Sequence, residues 1–128
     1  MTDYESWKLK ADADVEHIDG LISSPRSKAP GELWTELDNL IQWLARSGEL
    51  LSEIESLYES AVGAQAEELA KDKSLAPSTI TTIAKGKCAD IKETFRRIER
   101  QNAALVHAID GVRSLLSYEK ETMRLTPK

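Results

Sequence analysis

The chain has 128 residues, 17 of them Lys or Arg and 22 Asp or Glu, for a formal net charge of −5. That length makes one domain rather than two, and 41% apolar with 30% charged residues is a globular composition, not a disordered one. Only seven residues are aromatic, so aliphatic side chains must build the core, and a single cysteine excludes both an internal disulfide framework and a thiolate metal cage.

Two clusters punctuate the chain: Ser23 to Gly31, with Pro25 and Pro30, and Lys71 to Pro77. Before the first cluster, Tyr4, Trp7, Ala11, Val15, Ile18 and Ile22 recur at steps of three or four and predict an amphipathic helix over about 3–22. Between the clusters, Leu37, Leu40, Leu44, Ser47, Leu51, Ile54, Tyr58 and Ala61 keep a heptad register, and Ile41, Trp43, Leu50 and Leu57 widen its apolar face. A helix over about 31–71 that packs on more than one neighbour follows.

Pro77 suits the first turn of a third helix, expected to run to about residue 124. Its core register is Ile80, Ala84, Cys88, Ile91, Phe95, Ile98, Asn102, Leu105, Ile109, Val112, Leu116, Glu119 and Met123. The short break at 71–77 turns the two long helices back on each other, so the fold class is all-α: a long antiparallel, coiled-coil-like helical hairpin with a short N-terminal helix. The first helix covers only part of that length. Exposed seam from Leu105 to Met123 is then expected to associate with further copies, through Asn102, Leu105, Ile109, Val112, Leu116 and Met123. Asn102 either sets register or oligomer number from within the seam or is a locally satisfied polar residue facing solvent.

The start Met1-Thr-Asp-Tyr-Glu lacks the basic and apolar stretches of a secretory signal, and no apolar run reaches the ~18 residues of a membrane span. A cytoplasmic protein is expected, with Cys88 a small buried thiol or, alternatively, half of an intermolecular bridge. No HExxH, paired CxxC, GxSxG or glycine-rich phosphate loop is present, and Gly86-Lys87 lacks both the glycine and the strand of a P-loop, Thr81 standing where that glycine belongs. His17 and His107 have no second histidine or cysteine at metal-ligand spacing. The chain is therefore read as a non-enzyme without metal or cofactor.

Charge is informative by region. Residues 1–70 hold 5 basic and 15 acidic side chains, net −10, whereas residues 71–128 hold 12 and 7, net +5. Lys92, Arg96 and Arg100 follow at four-residue steps, with Lys85, Lys87 and Arg97 beside them and Lys71 and Lys73 at the hairpin end. Such a stripe can contact phosphates; equally, it can pair with the acidic second helix as e and g positions do. Residues 68–86 also resemble a helix-turn-helix, with Ala70, Leu75, Ile80 and Ile83 at its apolar positions, although Ser74 replaces the turn glycine and Lys73 an aliphatic residue.

Glu99-Arg-Gln-Asn102 and the stretch from His107 through Ile109-Asp-Gly-Val-Arg-Ser-Leu-Leu-Ser-Tyr118 to Met123 resemble small all-helical proteins of bacteriophages and prophages. With Gln42-Trp-Leu-Ala45, the layout over about 37–124 is similar to the recombination mediator of T-even phages. That resemblance implies an oligomer that binds single-stranded DNA, contacts the single-strand-binding protein and helps a recombinase assemble. Where the mediator pattern has a basic DNA-contacting stretch, this chain has Gln65-Ala-Glu-Glu-Leu69, so DNA binding must fall to residues 71–100. The expected function is a phage-type accessory role in DNA recombination or replication. The competing expectation is a protein-interaction module, such as a phage inhibitor of a host factor, that uses its acidic half and binds no DNA.

Overall fold

The computed structural model describes residues 1–26 and 29–125; Ser27 and Lys28 of the first punctuating cluster lie outside the described residues. Regular structure among these is all helical: α1 (Asp3–Ser23), α2 (Pro30–Leu69), α3 (Pro77–Lys87) and α4 (Ala89–Leu125). Thr2 starts α1 with a capping box, its hydroxyl accepting from the Glu5 N–H at 3.1 Å while its own N–H donates to the Glu5 carboxylate at 3.2 Å. Pro30 and Pro77 each open a helix, where the missing N–H leaves no bond unmade. The connection between α2 and α3 is tightened by Asp72, whose carboxylate accepts from the Ser74 N–H at 3.0 Å and hydroxyl at 2.6 Å.

The third predicted helix is two helices. The expected 77–124 segment breaks at Cys88, whose φ of −106° and ψ of 22° leave the α-helical range. Its N–H reaches back only to the Lys85 carbonyl, at 3.1 Å, and the regular ladder resumes with Lys92 N–H to Cys88 O at 3.0 Å. Gly86, a weak helix former, sits in the turn that gives way. Ala84, Cys88 and Ile91 are all buried, so the break redirects the chain without changing which face is inward. α2 and α4, by contrast, run unbroken through Gly48, Gly63 and Gly111.

One apolar cluster joins Ala11, Val15 and Ile18 of α1, Leu33, Leu37, Leu40, Leu50 and Ile54 of α2, and Ile91, Ile98, Leu105, Ile109 and Val112 of α4. The most extensive packing is between α2 and α4, with contacts from Ser47 to Asn102 and from Tyr58 to Phe95. α1 rests on both: Tyr4 meets Thr94 at 2.6 Å, the Trp7 indole N–H donates to Glu53 at 2.9 Å, and Arg46 binds Asp14 at 2.8 Å.

The expected exposed seam is corrected here. Leu105, Ile109 and Val112 are 0%, 4% and 0% exposed, in the same cluster as Leu33, Leu37 and Leu40 near the start of α2. α2 reaches far enough along α4 to cover them, so no further copy is needed there. Only beyond them does the seam open, with Leu116 half-buried and Met123 71% exposed. Asn102, too, is matched within the chain: its amide donates to the hydroxyl of the fully buried Ser47 at 3.3 Å.

This difference is measurable. Leu105→Ala should destabilise the chain by about 2–5 kcal/mol in urea unfolding, as a buried leucine does, whereas Met123→Ala should stay within about 0.5 kcal/mol. Equal effects would mean that Leu105 is not a core residue of the single chain.

Candidate nucleic-acid interface

Four-residue steps put Lys92, Arg96 and Arg100 on one side of α4, and Lys85 of α3, seven residues before Lys92, falls on the same side across the break at Cys88. With Tyr58 of α2 and Glu93 they line an open groove that straddles the break. The ammonium of Lys92 sits 5.0 Å from the ring centre of Tyr58 and 4.6 Å from that of Phe95, and the two rings meet edge to face at 6.1 Å. Among the described residues, Lys85, Lys92, Arg96 and Arg100 make no ion pair, and Glu93 is the only carboxylate lining the groove with them. Cross-neutralisation between the two long helices, the alternative reading of this stripe, is not found: no ion pair among the described residues joins α2 to α4. The groove consequently holds an excess of positive charge, four cations with one carboxylate, and has one aromatic wall.

The other residues of the predicted basic stripe lie elsewhere. Lys71 pairs with Glu68 at 2.8 Å at the end of α2, and Lys73 is exposed in the turn. Lys87 lines a separate hollow with Cys88, Asp90 and the start of α1. Arg97 is corrected: one residue from Arg96 is about 100° around a helix, and this carries it to α1, where it binds Asp19 and, at 3.4 Å, Glu16. Tyr58 was missed as a groove residue. Its place opposite Phe95 in the two heptad registers was the available signal.

Leu116 and Met123, from the expected association surface, line an apolar slot with Trp34 and Leu37, rimmed by Arg113 and Lys120. Trp34 is 63% exposed. The helix-turn-helix resemblance gains one feature, since α3 has 11 residues and is not the start of one unbroken helix over 77–124, as expected. Ile80 and Ile83 are half-buried on it, while Ser78, Thr79, Thr81 and Thr82 face outward.

The seat of α1 is markedly polar. The Gln101 amide donates to the Val15 carbonyl at 2.9 Å and to the Asp19 carboxylate at 2.6 Å. That hydrogen bond, helped by Arg97 and opposed by partial burial, holds the Asp19 carboxyl below the ordinary carboxylate range. Burial, and after it the Asp90 carboxylate, push the Cys88 thiol upward, so it stays protonated and inert at neutral pH. At 3% exposure, a bridge from Cys88 to another copy would first require this region to open.

Among the described residues no group of three or more His, Cys, Asp or Glu could hold a metal ion, and no helix is long and apolar enough to cross a membrane. Compared with protein-family models, curated proteins and solved structures, the chain gives no match.

The lowered carboxyl of Asp19 has a pH consequence. It contributes stability in full above the unfolded value near 3.9 and loses it as pH falls through the folded value. Acidification from pH 6 to pH 3 should therefore shift the NMR signals of α1 amides before those of the α2–α4 core, and Asp19→Asn should blunt that response. A uniform response along the chain would refute it.

Proposed function

We propose that this protein works by binding, as an oligomeric, phage-type accessory factor in DNA recombination or replication that holds single-stranded DNA and contacts a recombinase or single-strand-binding protein in the bacterial cytoplasm. The observation that carries this reading is the groove of Lys85, Lys92, Arg96 and Arg100, concave, basic and without ion-pair partners among the described residues. Phosphates are held by such donors without base readout, which suits a sequence-neutral strand, and Tyr58 supplies a ring at the groove wall. The paired contacts Ser47 to Asn102 and Tyr58 to Phe95 support an antiparallel hairpin as the scaffold. Self-association is assigned to the end that remains accessible, where Trp34, Tyr118, Met123 and Leu125 are all exposed.

Binding to labelled oligo-dT should weaken steeply as salt rises, and Arg96→Glu with Arg100→Glu should reduce affinity at least about tenfold. Absence of binding at low salt in the unmodified chain would remove the DNA reading. Light scattering should report more than one copy per particle at micromolar concentration, and a monomer would remove the association.

The competing reading, a protein-interaction module without DNA affinity, is favoured by one observation, the slot of Trp34, Leu37, Leu116 and Met123, apolar within and open to solvent. It takes the lead if oligo-dT is not bound and Trp34→Ala abolishes capture of a host protein.

A further inference from the structure

Among the described residues, Arg97 is the one arginine of the α4 stripe that makes an ion pair. It stands three residues from Arg100, hence beside it on the helix surface, and it is occupied by carboxylates of α1. α1 carries six carboxylates against two lysines. Three of the six are spent on arginines of the long helices: Asp14 on Arg46, and Glu16 and Asp19 on Arg97. Carboxylate oxygens on a guanidinium fork take the same donors that phosphate oxygens take.

On the assignment of the basic groove to nucleic acid, we propose that α1 is a built-in competitor for the DNA backbone. Glu16 and Asp19 hold Arg97, and a DNA phosphate that captures Arg97 displaces this part of α1, extending the binding surface around α4 from Lys92, Arg96 and Arg100 to Arg97.

The seat is built for exchange. Arg97, Asp19 and Glu16 are 46%, 44% and 73% exposed at their side chains, so their attraction is weak and screened by salt. Gln101, which anchors α1 through Val15 O and Asp19, keeps its own Oε1 buried without a hydrogen-bond partner among the described residues. Leaving that acceptor unpaired penalises the docked arrangement, and withdrawal of α1 returns it to water. The buried apolar anchor that opposes release is Ala11, Val15 and Ile18.

The test compares oligo-dT affinity for the full chain, for Glu16→Gln with Asp19→Asn, and for a charge-matched control, Asp12→Asn with Asp38→Asn, at exposed positions without ion pairs among the described residues. Circular dichroism should report equal helix content in all three. The first variant should bind at least about fivefold more tightly than the control, and adding Arg97→Ala should remove that gain, whereas Arg97→Ala alone should change affinity less than about twofold. Independently, amide exchange over residues 3–23 of the unmodified chain should quicken when oligo-dT is added. Binding by a variant with none by the unmodified chain at low salt would overturn both the proposal and the groove assignment, since that assignment requires the unmodified chain to bind. Equal affinity of variant and control, or unchanged exchange in a chain that does bind, would overturn it while leaving the groove assignment intact. No binding by any form would overturn both.

Discussion

The apolar seam between α2 and α4 is the contact from which everything else in this molecule hangs. Helices of 40 and 37 residues, about 60 and 55 Å long, are not held straight by intrinsic propensity; they persist because each buries the stripe of the other. The burial of Leu33, Leu40, Ile98, Leu105 and Val112 beside that seam removes the core side chains from water over most of its length. α1 covers only part of the pair, from Tyr4 on Thr94 and Trp7 on Glu53 to Asp14 on Arg46, Val15 on Gln101 and His17 on Trp43. An apolar slot at Trp34, Leu37, Leu116 and Met123 and, on another side of α4 from the seat of α1, the basic groove are thereby left to serve other purposes.

Charge follows the same geometry. The acidic and basic halves of the chain do meet, but α2 and α4 do not neutralise each other, because their facing positions are apolar. The ion pairs that bridge elements instead run from α1 to the arginines flanking its seat, Arg46 and Arg97, and from Arg26 to Glu36 at 2.8 Å. Lys92, Arg96 and Arg100, on another side of α4, make no ion pair among the described residues. A small net charge thus coexists with a concentrated local one, which is the arrangement a binding groove needs and a self-paired coiled coil lacks.

Much of the architecture was legible from periodicity. The apolar positions Ala84, Cys88, Ile91, Ile98, Leu105, Ile109 and Val112 were all named from spacing and are all buried, because a heptad pattern states directly which side chains face a partner. The break at Cys88 was not legible: inward residues continue across it, and a pattern of burial does not record a change of axis. Nor was the burial of Leu105 to Val112, since spacing marks a sticky face without saying whether the same chain covers it. For the basic stripe, four-residue steps placed Lys92, Arg96 and Arg100 together, but the partner of Arg97 is some eighty residues away on α1. Long-range ion pairs leave no local trace in a single sequence.

That separation also orders events during synthesis. α1 leaves the ribosome ahead of α4, and Thr94, Arg97 and Gln101, which it docks against, are translated about eighty to ninety residues later. At roughly 5–20 residues per second, α1 spends several seconds exposed before its seat exists. Its capping box lets it start as a helix alone, and its surplus of carboxylates keeps that early helix soluble and apart from other nascent chains. The charge that serves a contact with Arg97 in the finished molecule is, for those seconds, the segment's protection against aggregation.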